Sequence, residues 1–203
     1  MRRIPKSHDP VECARTGGAR VKPRDRLARI IERLSRIYPA PRCALNHRSA
    51  LELLVATILS AQCTDARVNK VTPALFDKYP DVQAFAKADV HELENIIRPL
   101  GFFRSKAANI IDSARRIVSE FHGQVPREML QLTSLAGIGR KTANVILGDA
   151  FAIPGFPVDT HVKRVLKRLG ITRSDNPERI ESEVTAILDR SLWTNFSHML
   201  NRH

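Results

Sequence analysis

The stretch LTSLAGIGRKTANVIL, residues 132–147, places Gly137, Ile138 and Gly139 between two apolar segments of helical period. Glycine admits positive φ and lets another group approach the backbone with no Cβ in the way. The amides of such a turn, with those that open the following helix, suit a phosphate. Glycine also ends many helices for structural reasons alone, so the turn acquires meaning from what surrounds it. Upstream, a short helix is expected from beyond Pro126 to about Leu135. Downstream, one is expected from about Arg140 to Phe151, after which Pro154, Gly155 and Pro157 break the chain.

The helical period extends in both directions. Leu27, Ile30, Ile31, Leu34 and Ile37 fall on one face of a 3.6-residue repeat. Residues 50–61, ALELLVATILSA, are apolar almost all round and predict a buried central helix. Thr64 and Asp65 offer caps for a helix through Val68, Val71 and Leu75, which Pro73 is expected to kink or end early. A short helix over 89–98 should stop at Pro99 and Gly101, and Ser105 to Phe121 carries Ile110, Ile111, Ala114, Ile117 and Val118 at helical spacing. Past the break, a helix through Val162, Val165, Leu166 and Leu169 ends at Gly170, and Asn176-Pro177-Glu178 is a strong helix start. Leu192, Trp193, Phe196, Met199 and Leu200 form a last apolar face with no capping residue after it, so its final carbonyls are expected to lack partners. No alternating strand pattern and no internal repeat is present. The fold class is all-α.

At 203 residues and 43% hydrophobic content, the chain can bury one sizeable core or two smaller ones. Its net charge of +12 and pI near 10.3 suit a polyanion, because neutralised phosphates release condensed counterions. Anionic membrane surfaces and ribosomal neighbours would attract the same charge. Cys13, Cys43 and Cys63 are odd in number and widely spaced, giving neither a disulfide framework nor a metal-ligand cluster, and they fit a reducing compartment. No apolar run reaches the ~18 residues of a membrane span, and MRRIPKSHDP lacks the apolar centre of a secretory signal. A soluble cytoplasmic protein is expected, nucleoid-associated in a bacterium. Residues 1–25 read as a flexible basic tail; Pro5, Asp9, Pro10 and Glu12 argue against an organellar targeting peptide.

LAGIGRKTA resembles the helix–hairpin–helix of base-excision DNA glycosylases, and GFPVDTHV, 155–162, resembles their Gly-Pro-Asp segment. Together with LSAQCTD at 59–65 and GFFRSKAANI at 101–110, the four motifs follow the order of the endonuclease III branch, from about residue 26 onward. The resemblance implies a six-helix lobe over about 43–153, with the helix–hairpin–helix at about 128–151. It implies a second lobe of 26–42 plus 154–203 and a DNA-binding cleft between the two. It implies a monomer acting on double-stranded DNA with damaged bases or abasic sites. The family usually carries a [4Fe–4S] cluster on four cysteines beyond a helix end like LNRH; no such set stands in this sequence up to His203, and Cys13, Cys43 and Cys63 do not have its spacing.

Breaking a glycosidic bond passes through an oxocarbenium-like state that a carboxylate stabilises and an amine can capture at C1′. Asp159 and Lys141 supply those groups. A protonated lysine is a poor nucleophile, so the first helical turn beside Arg140 is expected to push the Lys141 pKa down. Read without their surroundings, Lys141 is a solvated helix lysine and Asp159 an N-cap for the helix after it; the carboxylate can fill both roles. A base inside the duplex must be flipped out to react. The resemblance assigns Gln62 to the orphaned partner base and Phe102 to a wedge in the opposite strand, although the family more often has a smaller apolar residue there and a core aromatic is the plain alternative. Gly137, Ile138, Gly139 and Arg140 are the hairpin's candidate DNA contacts. Lys106 and Arg140 can touch phosphates or belong to a general exposed basic face.

The implied activity is a bifunctional glycosylase and abasic-site lyase for oxidised pyrimidines. The competing readings are an adenine-mismatch glycosylase that uses water, a non-catalytic helix–hairpin–helix module, and a helix-turn-helix regulator. A grip on DNA alone needs neither Lys141 nor Asp159, and KTANVILGDAF is too apolar for a recognition helix.

Overall fold

The computed structural model describes residues 22–203, so Cys13 and nearly all of the expected basic tail lie outside the described residues. Eleven α-helices and two 3-10 turns, with no strand, form the described chain: α1 Pro23–Ile37, α2 Ala50–Leu59, α3 Asp65–Lys78, α4 Val82–Ala86, α5 Val90–Ile97, α6 Phe103–Glu120, α7 Met129–Thr133, α8 Arg140–Phe151, α9 Thr160–Arg168, α10 Pro177–Thr185 and α11 Trp193–Arg202. Among the described residues no helix is long and apolar enough to cross a membrane.

Side-chain caps fix several starts. Ser49 accepts the Glu52 amide, Asp81 that of Ala84, Asp89 that of Glu92, Asp159 that of Val162 and Asn176 that of Arg179. Each satisfies one of the amides that a helix start leaves without an internal partner. Thr64 stands at the α3 N-cap as expected, but its hydroxyl makes no cap bond.

The buried apolar residues divide into two clusters. One runs from Leu45 to Leu147 and centres on α2, whose residues Leu53 to Leu59 are all buried. The other joins Leu27 and Leu34 of α1 to Phe156, Val158 and the inner faces of α9, α10 and α11. Phe156, in the segment that leaves α8, stacks on Phe196 of α11 with ring centroids 6.0 Å apart. α8 belongs to the first cluster yet carries three side chains that pair with the second: Arg140 with Glu181, Lys141 with Asp159, and Asp149 with His198. The charged seam between the clusters therefore runs along one helix.

The structure departs from several sequence expectations. α1 begins at Pro23, so residues 23–25 are helical rather than tail, with Pro at its favoured first position and Asp25 in the first turn. Ile37 is exposed because it sits at the helix end. α3 runs through Pro73 to Lys78. Proline inside a helix costs about 3 kcal/mol, whereas fully burying Leu75 and Phe76 stabilises by roughly 1.5–3 kcal/mol each, so burial prevails. α4 was not expected: five residues between Pro80 and Ala88 are too few to show a period, and Asp81 and the burial of Val82 and Phe85 define it. The 43–153 stretch thus holds seven α-helices rather than six. Leu192 lies in a 3-10 turn before α11 and is partly exposed. Two of the last carbonyls of α11 find side-chain partners: Leu200 accepts from His161 Nε2 (3.0 Å) and Arg202 from the Tyr38 hydroxyl (3.1 Å).

Candidate active site

The Gly-Ile-Gly turn is held from beneath by α6. The Ser113 hydroxyl donates to the Ala136 carbonyl (2.9 Å) and Arg116 to that of Ser134 (2.5 Å), while Leu135 and Ile138 are buried in the core. The carbonyls that lead into the turn are thereby engaged from the α6 side. Gly137 has φ +77, and a Cβ there would come within 2.9 Å of Asn109 Nδ2. Gly139 differs from expectation: its φ is −93, an ordinary value, and a Cβ would meet nothing within 4 Å. As the α8 N-cap it offers no side chain to the first-turn amides. Ile138 is a core residue whose own amide bonds the Leu135 carbonyl (3.2 Å), so it anchors the turn.

Lys141 stands in the first turn of α8, and its Nζ lies 3.4 Å from Asp159 Oδ2, across the seam between the clusters. Asp159 divides its oxygens: Oδ1 accepts the Val162 amide at 2.8 Å and caps α9, while Oδ2 faces the ammonium. The cap preorganises the carboxylate, since fixing one oxygen fixes the other. Arg140 does not add positive charge beside Lys141 as the sequence reading expects. Its guanidinium makes two bonds to Glu181, at 2.8 and 2.9 Å, and that carboxylate neutralises it.

The pair opens into a cleft of about 250 Å³ lined also by Cys43, Ser60, Asp65 and Thr142. Asp65, read from sequence only as a helix cap, is a third ionisable group there. Burial raises its pKa, with Lys141 acting to lower it and Asp159 to raise it. Nothing in the sequence separates it from a capping aspartate, because the cleft exists only once α2, α3 and α8 have packed. Cys43 is a spectator: burial, then the charge of Asp149, pushes its thiol up to about 11, so it carries no nucleophilic thiolate near neutral pH.

The remaining candidate residues fall in two classes. Gln62 and Phe102 are both exposed, both at loop tips and both in left-handed backbone, with φ 52 and 48. Phe102 is 63% exposed, which excludes the core-aromatic alternative. Lys106 is 3% exposed and donates to the Leu100 carbonyl (3.0 Å), so it belongs to no exposed basic face and reaches no phosphate. The signal was in the spacing, since position 106 lies four residues before Ile110 on the buried face of α6.

Among the described residues no group of three or more His, Cys, Asp or Glu side chains could hold a metal ion, and Cys43 and Cys63 are separate, unpaired thiols. These residues do not fit an iron–sulfur cluster.

An all-helical fold with a lysine–carboxylate pair beside a glycine hairpin defines a class of DNA-repair protein: residues 55–190 match the HhH-GPD superfamily of base excision DNA repair proteins. Within that superfamily the chain belongs to the endonuclease III family. It is 51% identical over 86% of its length to the endonuclease III of Synechocystis sp., covering 80% of that protein. Two solved structures are similar, both at 40% identity and TM-score 0.84: a non-covalent endonuclease III–DNA complex, matched over 87% of this chain and 83% of that one, and a trapped endonuclease III–DNA covalent intermediate, over 87% and 84%.

Proposed function

We propose that this chain is a bifunctional DNA glycosylase and abasic-site lyase that removes oxidised pyrimidines from duplex DNA. The observation that carries the reading is Lys141 Nζ at 3.4 Å from an Asp159 carboxylate already locked by its cap, at the wall of a cleft of about 250 Å³. Lys141, once deprotonated, attacks C1′ as the C1′–N bond to the base breaks, and the departing base takes up a proton. Asp159 Oδ2 stabilises the positive charge that develops on the sugar. Ring opening gives an imine between Nζ and C1′. Loss of a C2′ proton and of the 3′-phosphate then nicks the strand, and water returns the free amine. Gln62 and Phe102 occupy the space vacated in the duplex, and the α8 amides receive a phosphate. The likeness to a covalently trapped endonuclease III supports the covalent step.

Borohydride trapping tests this. Full-length protein should release base from duplex carrying an oxidised pyrimidine and yield a reduced covalent adduct with that substrate and with abasic duplex. Base release with no adduct would instead identify a glycosylase that uses water, and binding with neither product a non-catalytic module.

The hairpin supplies a separate prediction. Gly137→Ala should destabilise the fold by about 1–2 kcal/mol, because a Cβ is disfavoured at φ +77 and meets Asn109. Gly139→Ala should melt like the parent yet bind duplex more weakly and with a shallower salt dependence, since its Cβ meets nothing within 4 Å among the described residues but would crowd an incoming phosphate. Unchanged affinity in Gly139→Ala would show that no phosphate reaches this turn.

A further inference from the structure

Two non-glycine tips in left-handed backbone face solvent from neighbouring loops, and a buried lysine serves the base of one of them. A bulky residue such as Phe102 holds φ 48 only where its surroundings over-determine it. Position 106 constrains the tip from two atoms, of which only the ammonium depends on the residue type. The Lys106 backbone amide donates to the Phe102 carbonyl (3.0 Å) and its Nζ to the Leu100 carbonyl (3.0 Å), on either side of Gly101. The Leu100 carbonyl ends a 3-10 turn, Arg98–Leu100, and both Leu100 and the lysine that donates to it are buried. The adjacent Pro99 carbonyl accepts from Arg67 of α3 (2.8 Å), the helix that follows the Gln62 loop. Burial lowers the Lys106 pKa, and the nearby Cys63, which follows Gln62, acts to raise it.

We propose that Lys106 is a positioning residue for the duplex-invading step: by fixing the Leu100 carbonyl from within the core, its ammonium holds the Phe102 tip in the one conformation that can enter the base stack. It touches neither substrate nor the reacting atoms. This inference rests on the glycosylase/lyase reading above. It accounts for an ammonium on the apolar face of α6, where a leucine would pack more cheaply but could donate to nothing.

The test compares the parent with Lys106→Met, Phe102→Ala and the double variant, assaying excision from duplex and imine trapping on single-stranded abasic DNA, where no stack has to be entered. Methionine fills the same volume without charge or donor. Lys106→Met should lower duplex excision about tenfold, leave single-strand trapping within about twofold, and add nothing to Phe102→Ala in the double variant, as expected of residues acting as one unit. Equal losses on both substrates, effects that multiply in the double variant, or undiminished duplex excision would each overturn the proposal. Should Lys106→Met not fold, Lys106→Leu, which likewise removes the donor, is measured in the same way and judged by the same outcomes. Parent protein that traps no abasic DNA would overturn the enzyme reading itself, and this inference with it; parent that traps while the variants misbehave overturns the Lys106 role alone.

Discussion

Lys141→Gln should abolish strand nicking and borohydride trapping, with excision falling by ~10⁴-fold or more, the scale on which a covalent nucleophile is lost. Affinity for abasic-analogue duplex should stay within about threefold, because binding draws on many phosphate contacts and this amine faces a carboxylate instead. Nor should the fold suffer. The ion pair with Asp159 is half exposed on the lysine side, and such pairs contribute about 0–1 kcal/mol. Glutamine is one atom shorter but retains much of the side chain's packing. The expected variant is therefore folded, DNA-binding and inert. An adduct that persists in Lys141→Gln would locate the nucleophile elsewhere, and Asp65 offers no amine to replace it. Loss of binding together with activity would show that Lys141 grips the backbone rather than attacking the sugar.

The parts of this site that sequence conveys are those fixed by local chemistry. α8 begins at Arg140 and ends at Phe151, as the glycine turn before it and the proline-rich break after it dictate. Asp159 and Asn176 cap the helices they precede, because capping is decided within three residues. What sequence does not convey is set by neighbours distant along the chain. Arg140 looks like a free cation until Glu181, on α10, comes within 2.8 Å. Asp65 looks like a helix start until α8 packs against α2 and places Lys141 beside it. Pro73 looks like a helix break until the burial of Leu75 and Phe76 is set against its penalty. Lys106 is the intermediate case: its residue type suggests a surface, its register on α6 the core, and register decides.

Asp159→Asn separates the helix cap that this carboxylate makes from the catalytic role proposed for it. Asparagine caps helices about as well as aspartate, so its side-chain oxygen can still accept the Val162 amide, and α9 should keep its start. What disappears is the negative charge at Oδ2, 3.4 Å from Lys141 Nζ, which the proposed mechanism uses to stabilise cationic character on the sugar. Removing one preorganised electrostatic partner costs on the order of 10²–10³ in rate. Base excision should fall by that factor, while the melting temperature moves little. Asp159→Ala should show the same rate loss and, in addition, destabilise the protein by about 1 kcal/mol, the worth of a lost cap. Thermal melts and single-turnover excision on the two variants resolve the matter. Wild-type excision in Asp159→Asn, with instability only in Asp159→Ala, would reduce Asp159 to a helix cap and leave Asp65 as the carboxylate nearest the reacting lysine.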